Sequence, residues 1–158
     1  MLASDGLVTT LPQRGHVVNA VSLAEVLDAF HLREVLEADA VAQAAARITP
    51  AEIEHLRCLA ETRESRDMPA VNLEFHTSIA RASGNRLLVD FIGRLLLCMQ
   101  RVLILDPHLT AWTEEGYQEE MAIVEALAAR DAAAAREAMI RHVRNTMASV
   151  LRQSRSPA

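Results

Sequence analysis

Four polar side chains with metal-binding chemistry fall on apolar faces of helices that this sequence predicts. His142 and Glu120 each lie three, four and seven residues from small or apolar side chains, the spacing of one helical face. Asn72 and His76 are four residues apart, one turn along a single face. Imidazole, carboxylate and amide groups bind divalent cations, so the pattern predicts a metal site where three helices meet.

A plainer interpretation exists for each of these groups. A single inward histidine is usually a hydrogen-bonded core residue, and a glutamate near a helix start is usually half exposed. Under that interpretation Glu120 bonds to His142 or His76 and no cation is held. The metal hypothesis depends on convergence of the groups, because a buried carboxylate is costly unless it is paired or bound to a cation.

The elements that must position these groups begin with clear signals. Ser22 with Glu25, and Thr49 with Glu52, have the spacing of a capping box, in which hydroxyl and carboxylate satisfy free backbone N–H groups. Asp131 is placed to cap the last helix. Two complete capping boxes in a chain of 158 residues strongly favour a helical protein.

The predicted helices fill most of the chain. Their bounds are Leu23–Arg47, Pro50–Arg66, a helix that follows Met68-Pro69 and ends at Ser83-Gly84-Asn85, Arg86–Leu105, a helix within Thr110–Ala129, and one that runs from the Asp131 cap to Arg152. Short connections between long helices favour antiparallel neighbours. The sequence therefore predicts an all-α fold, an antiparallel bundle of about six helices.

The first twenty residues differ from the rest. Leu7 to Leu11 and His16 to Val18 are β-branched and apolar, and Pro12-Gln13-Arg14-Gly15 between them has the composition of a turn. This pattern predicts a short β-hairpin. Since an isolated two-stranded hairpin is marginal in water, we expect it to pack on another element or on a partner.

Composition narrows the function classes. Hydrophobic residues make up 51% and aromatic residues 3%, a globular profile. The net charge of -5 argues against a protein whose whole surface binds nucleic acid. Arg94, Arg101 and Asp90 interrupt the most apolar stretch, so no membrane span is predicted. In the absence of a charged-then-apolar leader, we expect a cytoplasmic protein.

Three runs carry a family resemblance. They are "LREVLEADAVAQAAARITPAEIEHLRCLAE", "NLEFHTSIARASGN" and "EEMAIVEALAARDAAAAREAMIRHV". Together they resemble the FCD domain, the all-helical ligand-binding domain of bacterial GntR-family transcription regulators of the FadR subfamily. The resemblance extends from about Val21 to Leu151 without large gaps. It implies an effector-sensing and dimerising domain that acts in transcription regulation and is not an enzyme.

The resemblance also implies a metal site. Many such domains hold a metal with an aspartate four residues before the Phe-His histidine, with that histidine, and with two more. The corresponding residues here are Asn72, His76, Glu120 and His142. Asn72 stands where aspartate is common and Glu120 where the middle histidine would be, so the set keeps one carboxylate. We expect a divalent ion, Zn, Ni or Mn, with preference moved toward harder ions such as Mn.

The family's effectors are usually small organic acids or sugar acids bound beside the metal. An inward arginine would complete a carboxylate clamp, and Arg33 is the best candidate, with Arg101 second. A pair between Arg33 and Glu37, one helical turn apart, is the alternative interpretation of Arg33.

The resemblance gives the hairpin an interpretation as well. In full-length relatives a winged-helix DNA-binding domain precedes the bundle, and its wing ends in a stretch like residues 6–18. We therefore divide the chain into a wing remnant (1–20), the FCD-like domain (21–152) and a frayed tail (153–158). Arg14 and His16 would touch phosphates weakly, while operator DNA would be read only through the winged-helix domain that this chain lacks. A homodimer is expected, as for regulators of twofold operators.

Two other classes remain open from the residues alone. Inward histidines, a carboxylate and a metal would also suit a hydrolase with Glu120 as general base, although no nucleophile motif, HExxH or glycine-rich phosphate loop is present. The other class is a regulator-derived interaction module without ligand. Turnover separates a hydrolase from a sensor, because a sensor returns its acid unchanged.

Overall fold

A computed structural model describes residues 8–11, 15–18, 22–62, 68–105 and 114–153; side chains are described within these ranges except at 8–11, 15–18, 23, 101–105 and 153. Six helices occupy most of this part: α1 Leu23–Ala45, α2 Pro50–Glu61, α3 Met68–Ala82, α4 Arg86–Leu105, α5 Glu114–Ala128 and α6 Ala132–Gln153. The prediction of an all-helical bundle of about six helices is confirmed.

Both predicted capping boxes are present. The Ser22 hydroxyl accepts from the backbone N–H of Glu25, whose carboxylate accepts from the N–H of Ser22, and Thr49 and Glu52 repeat the arrangement at α2. Oδ1 of Asp131 accepts from two backbone N–H groups of the first turn of α6, as its predicted capping role requires. Local chemistry therefore fixes where these helices begin.

Two helices end earlier than predicted. α1 stops at Ala45 instead of Arg47, because Ala46 and Arg47 close it with a tighter turn onto the carbonyl of Ala44. α2 stops at Glu61 instead of Arg66, where Thr62 turns to extended backbone; residues 63–67 lie outside the described ranges. The fifth helix begins at Glu114 within its predicted window.

Helix α1 lies at the centre of the packing. It contacts α6, α4, α3 and α5, while α5 packs on α6 and α3 packs on α4. The main core includes Phe30, Phe75, Ile79, Leu127 and Met139. A smaller cluster joins α1, α3 and α4 through Ala40, Ala80, Leu88, Ile92 and Leu96. Because α3, α5 and α6 all border α1, their inward faces meet in one interior.

Arginine side chains tie the corners together. Arg130, which adopts a positive φ of 55° between α5 and α6, donates to the carbonyls of Ala45 and Ile48 at the α1–α2 corner. Arg47 donates to the carbonyl of Ser83, next to Gly84, which has a φ of 76°. Two corners on the same end of the bundle are thereby held to the α1–α2 connection.

Two four-residue strands precede the bundle. β1, Val8–Leu11, pairs antiparallel with β2, Gly15–Val18, and Val8 lies opposite Val18. The turn residues 12–14 lie outside the described ranges. Among the helices that the structure describes, none is long and apolar enough to cross a bilayer.

Candidate metal centre

Helices α3, α5 and α6 bring His76, Glu120 and His142 together inside the bundle. Each offers one ligand atom, and these atoms all lie within 4.8 Å of one another. Their exposed fractions are 1%, 1% and 5%, so the cluster is part of the interior. Three of the four residues predicted as ligands therefore converge.

The apolar pattern of each helix explains the inward direction of these polar groups. His76 lies between buried Phe75 and Thr77, next to the face that also carries Ile79 and Ala80. Glu120 shares the buried stripe of α5 with Ile123, Val124 and Leu127. His142 lies between the buried Met139 and Val143. A helix that buries its apolar stripe carries these groups inward with it.

The two histidine rings stack, and each has a carboxylate at Nδ1. The ring centroids of His76 and His142 are 5.4 Å apart at an interplanar angle of 27°. Nδ1 of His76 lies 2.6 Å from Oε2 of Glu37 in a bent arrangement, and Nδ1 of His142 lies 3.1 Å from Oε2 of Glu119. A carboxylate at Nδ1 orients a ring and leaves Nε2 as its metal-binding nitrogen, as is usual for histidine ligands.

Arg33 enters this cluster from α1. Its Nε donates to Oε1 of Glu37 at 2.5 Å, its Nη2 lies 3.4 Å from Nε2 of His76, and its Nη1 lies 3.5 Å from Sδ of Met99. Burial alone would raise the pKa of Glu37, but Arg33 and His76 hold it well below its ordinary range. Burial lowers the pKa of His76 to about 4, against the opposing effect of Glu37, so the ring is neutral at physiological pH.

Glu120 has no hydrogen-bond partner for either carboxylate oxygen, although both are buried. Burial and the neighbouring charge of Glu119 raise the pKa of Glu120 to about 8, while Arg33 acts weakly the other way. The alternative in which Glu120 bonds to His76 or His142 does not occur; Glu37 and Glu119 occupy those positions. A deeply buried carboxyl group without a partner is rare in native interiors.

Glu119 is the neighbour of Glu120 in sequence and its opposite in environment. Its second oxygen, Oε1, accepts from the Asn145 side chain at 2.5 Å. Burial raises the pKa of Glu119, but the contacts with His142 and Asn145 outweigh it and lower the pKa below its ordinary value. The centre thus has three nearby carboxyl groups, where the sequence predicted one.

The other predicted site residues are placed as follows. Asn72 is half-buried in α3, one turn before His76. Arg33 points inward as predicted and also forms the Glu37 pair that was its alternative interpretation. Arg101 lies in α4, and its side chain is outside the described set, as is that of His16 in β2; Arg14 lies outside the described residues altogether.

Sequence reasoning missed Glu119 and the role of Glu37, although a signal existed for both. Glu37 lies on the α1 stripe of Phe30, Val41 and Ala44, so a carboxylate there had to be buried. Glu119 lies four residues before the buried Ile123, at the edge of the same face as Glu120. What the periodicity could not provide was the partner, because contacts between helices depend on their relative rotation.

Comparisons with known proteins agree with this architecture. A family model described as the FCD domain matches residues 28–145. The HTH-type transcriptional repressor RspR of Escherichia coli is 28% identical over 164 residues, covering 98% of this chain and 72% of that protein. The solved structure of E. coli McbR/YncC has a TM-score of 0.80 at 22% identity, covering 96% of this chain and 80% of that one. A GntR structure from Streptococcus agalactiae has a TM-score of 0.70 at 20% identity, covering 94% and 77%.

The fold and the buried polar centre define a helical-bundle regulatory domain. The chain belongs to the FCD domain family, and its relatives are GntR-family transcription regulators. These relatives are regulators and not enzymes, which sets aside the hydrolase alternative. The family is one of effector-binding regulatory domains.

Proposed function

We propose that this chain is the sensing domain of a transcription regulator and that it binds one divalent cation and a small organic or sugar acid. His76, Glu120 and His142 would hold the cation, with Asn72 as a fourth ligand. The cation would supply a positive centre that attracts carboxylate and hydroxyl oxygens of the acid. The alternative is an interaction module of the same fold without ligand.

A single observation carries the proposal. Both oxygens of Glu120 are buried without a partner, and one of them lies within 4.8 Å of a ligand atom from each of two histidines. Leaving such a group unpaired costs a folded protein about 1–3 kcal/mol, and more when the group is ionised. A bound cation removes that cost, and burial keeps the neighbouring His76 neutral, the protonation state that a metal ligand requires.

The charges around the centre also favour a dication. Arg33 and Glu37 compensate each other in a direct pair. Glu119 and Glu120 then contribute two negative charges when both are ionised. An ion of charge two would neutralise them in a region where nearby charges are weakly screened. Two imidazoles and a carboxylate suit Zn, Ni or Mn, and an amide oxygen from Asn72 would favour the harder Mn.

Arg33 links the cation to the acid. Its Nη2 lies near Nε2 of His76, so the guanidinium has to turn from this nitrogen when the ring serves as a ligand. Glu37 would keep the guanidinium close by through the bond to Nε. A guanidinium beside a cation is suited to a carboxylate, which it binds through two parallel N–H donors. Arg101 on α4 is the second candidate for this clamp.

Elemental analysis and calorimetry with Zn2+, Ni2+ and Mn2+ test the proposal. After chelation and dialysis, we expect about one ion per chain, and His142→Ala should lower affinity at least about tenfold because a ligand is lost. Glu120→Gln should weaken binding more than Asn72→Ala, since it removes a charge. Arg33→Ala should keep the ion and lose the heat of binding of acetate or citrate by the metal-loaded protein.

His31→Ala is the matched control, because His31 is an exposed histidine of α1 that takes no part in the cluster. It should bind the ion as the wild type does. If the wild type binds none of the three ions, or if His142→Ala and His31→Ala bind equally, the metal site is refuted. If neither the metal-loaded wild type nor metal-loaded Arg33→Ala gives heat with acetate or citrate, the carboxylate clamp is refuted and the metal site stands.

We also propose that residues 1–20 form the wing of a DNA-binding domain and that 21–152 form the sensing domain, followed by a tail at 153–158. The antiparallel pairing of β1 and β2 supports a wing, and the match to a repressor of the HTH type extends over 98% of the chain. Arg14 and His16 would contact phosphates there. The regulator would act in the cytoplasm as a homodimer on operator DNA.

A further inference from the structure

A cleft of about 280 Å³ opens between α5 and α6, close to the candidate metal centre. Its lining consists of Glu115, Gly116, Glu119, Asn145, Thr146, Ser149 and Arg152. Apart from Gly116, the lining residues carry polar or charged side chains. Since α5 also carries Glu120 and α6 also carries His142, the cleft lies next to the cluster.

Burial of the side chains shows where the centre comes nearest to solvent. His76 and Glu37 are 0% and 1% exposed, and Arg33 is 2% exposed. Counted over the side chain alone, His142 is 7% exposed and Glu119 is 14% exposed. Among the described residues of the cluster, the solvent-facing edge is therefore the Glu119–His142 pair. A group that enters from solvent along this edge meets Glu119 first.

Glu119 belongs to both places at once. It lines the cleft, and its Oε2 lies 3.1 Å from Nδ1 of His142. Its other oxygen is held by Asn145, also a lining residue. The carboxylate thus connects a polar cleft with a buried histidine that is a candidate ligand.

We infer that the α5–α6 cleft is the port through which a hydrated divalent cation reaches the buried centre, with Glu119 as the carboxylate at its inner end. This inference rests on the proposed function, because a port requires a site behind it. The hydroxyl and amide oxygens of Thr146, Ser149 and Asn145 suit an ion that still carries water. Glu119 acts as a positioning residue for His142 as well.

The charges at the mouth set the rate of capture. Glu115 is exposed and lies one turn before Glu119, so it attracts a cation toward the inner carboxylate. Arg152 lines the same cleft and repels a cation. Electrostatic steering of this kind changes association rates and is weakened by salt. It leaves the dissociation rate of a buried ion nearly unchanged.

Obstruction of the cleft gives the sharpest test. We expect Ser149→Trp to slow both the association and the release of Zn2+ or Mn2+ by about tenfold while the equilibrium affinity stays the same. A barrier along a path raises the transition state for both directions equally, whereas damage to the site changes affinity. The release rate of Zn2+ is measured from the colour change of a chelator that captures the free ion, and that of Mn2+ from the electron spin resonance of the free ion. The affinity is measured by calorimetry. Ala134→Trp, on an exposed position of α6 outside the cleft, should change neither rate.

A second pair of variants avoids any risk to folding. Glu115→Gln should slow association about two- to fivefold at low salt and Arg152→Gln should speed it, and both effects should vanish at high salt. Glu137→Gln, an exposed carboxylate of α6 outside the cleft, is the control. Circular dichroism verifies that every variant retains its helices.

The outcomes separate this inference from the proposed function. If the wild type binds neither Zn2+ nor Mn2+, the proposed function and the port are both overturned. If the ion binds but Glu115→Gln and Arg152→Gln leave the association rate unchanged, or a folded Ser149→Trp exchanges its ion as fast as Ala134→Trp, the port is overturned and the site stands. Equal slowing of both rates at constant affinity supports the port.

Discussion

Two adjacent glutamates in α5 show how strongly environment decides the behaviour of one residue type. Glu119 has histidine and amide partners, which lower its pKa, whereas burial without partners raises the pKa of Glu120 to about 8. Successive residues on a helix point in directions about 100° apart, so neighbours in sequence enter different surroundings. Glu120 is therefore the group whose state depends most on whether a cation is bound.

This difference predicts that the stability of the metal-free protein depends on pH. The pKa of Glu120 is about 8 in the folded state against an ordinary value of 4.5, so the folded state holds a proton that the unfolded state has lost. Stability should fall as pH rises from 7.5 to 8.5, by up to about 1 kcal/mol per pH unit. Glu120→Gln should remove this slope, as measured by urea unfolding in the presence of a chelator.

The window is chosen so that His76 does not contribute. Its pKa of about 4 in the folded state makes stability rise with pH below its ordinary value of 6.5, which is the opposite sign. Above pH 7.5 the ring is largely neutral in both states. Glu115→Gln is the control, since Glu115 is exposed and should keep the wild-type slope. A slope that persists in Glu120→Gln would show that another group causes it.

At the scale of elements, local chemistry predicted where helices begin better than where they end. The boxes of Ser22 with Glu25 and of Thr49 with Glu52 operate within four residues, so the sequence alone contains both partners. The ends of α1 and α2 have no glycine to mark them. The corner beyond α1 is set instead by Arg130, whose side chain reaches the carbonyls of Ala45 and Ile48 from the α5–α6 corner, and no local pattern reveals such a distant contact.

The capping box of α2 makes a direct prediction. Thr49→Ala should lower the free energy of unfolding by about 1 kcal/mol, because the N–H of Glu52 loses its acceptor and the Glu52 carboxylate loses the hydroxyl that it holds. Thr49→Ser should restore most of the loss. Thr62→Ala is the control at the other end, where the hydroxyl donates to the carbonyl of Cys58 and caps no N–H group. Equal losses in urea unfolding for Thr49→Ala and Thr62→Ala would contradict a specific effect of the cap.

At the scale of the whole molecule, periodicity predicted which side chains turn inward but not which of them touch. His76, Glu120 and His142 converge as predicted because each lies on a stripe that the core must bury. Their partners Glu37 and Glu119 depend on how α1 and α5 are rotated against the histidines, and one sequence does not contain that rotation. For the same reason the α5–α6 cleft had no counterpart in the sequence.

The surface of α1 and α4 leads to the last prediction. Five large apolar side chains of the described residues are exposed, and all lie on these two helices, which pack on each other: Leu32, Val35, Leu87, Phe91 and Leu97. Scattered exposed apolar residues are ordinary, but a concentration on neighbouring helices is typical of an interface. We therefore expect a homodimer formed through this face.

The Phe91→Glu variant tests this expectation, because it places a charge on a side chain that is 55% exposed in the single chain. It should raise the dissociation constant of the dimer at least about tenfold in sedimentation equilibrium. Ala133→Glu, exposed at the start of α6, should leave it unchanged. The prediction invokes the burial of apolar area as the force that drives association. It is therefore wrong if the wild type stays monomeric at 100 μM, or if the Phe91→Glu variant dimerises as the wild type does.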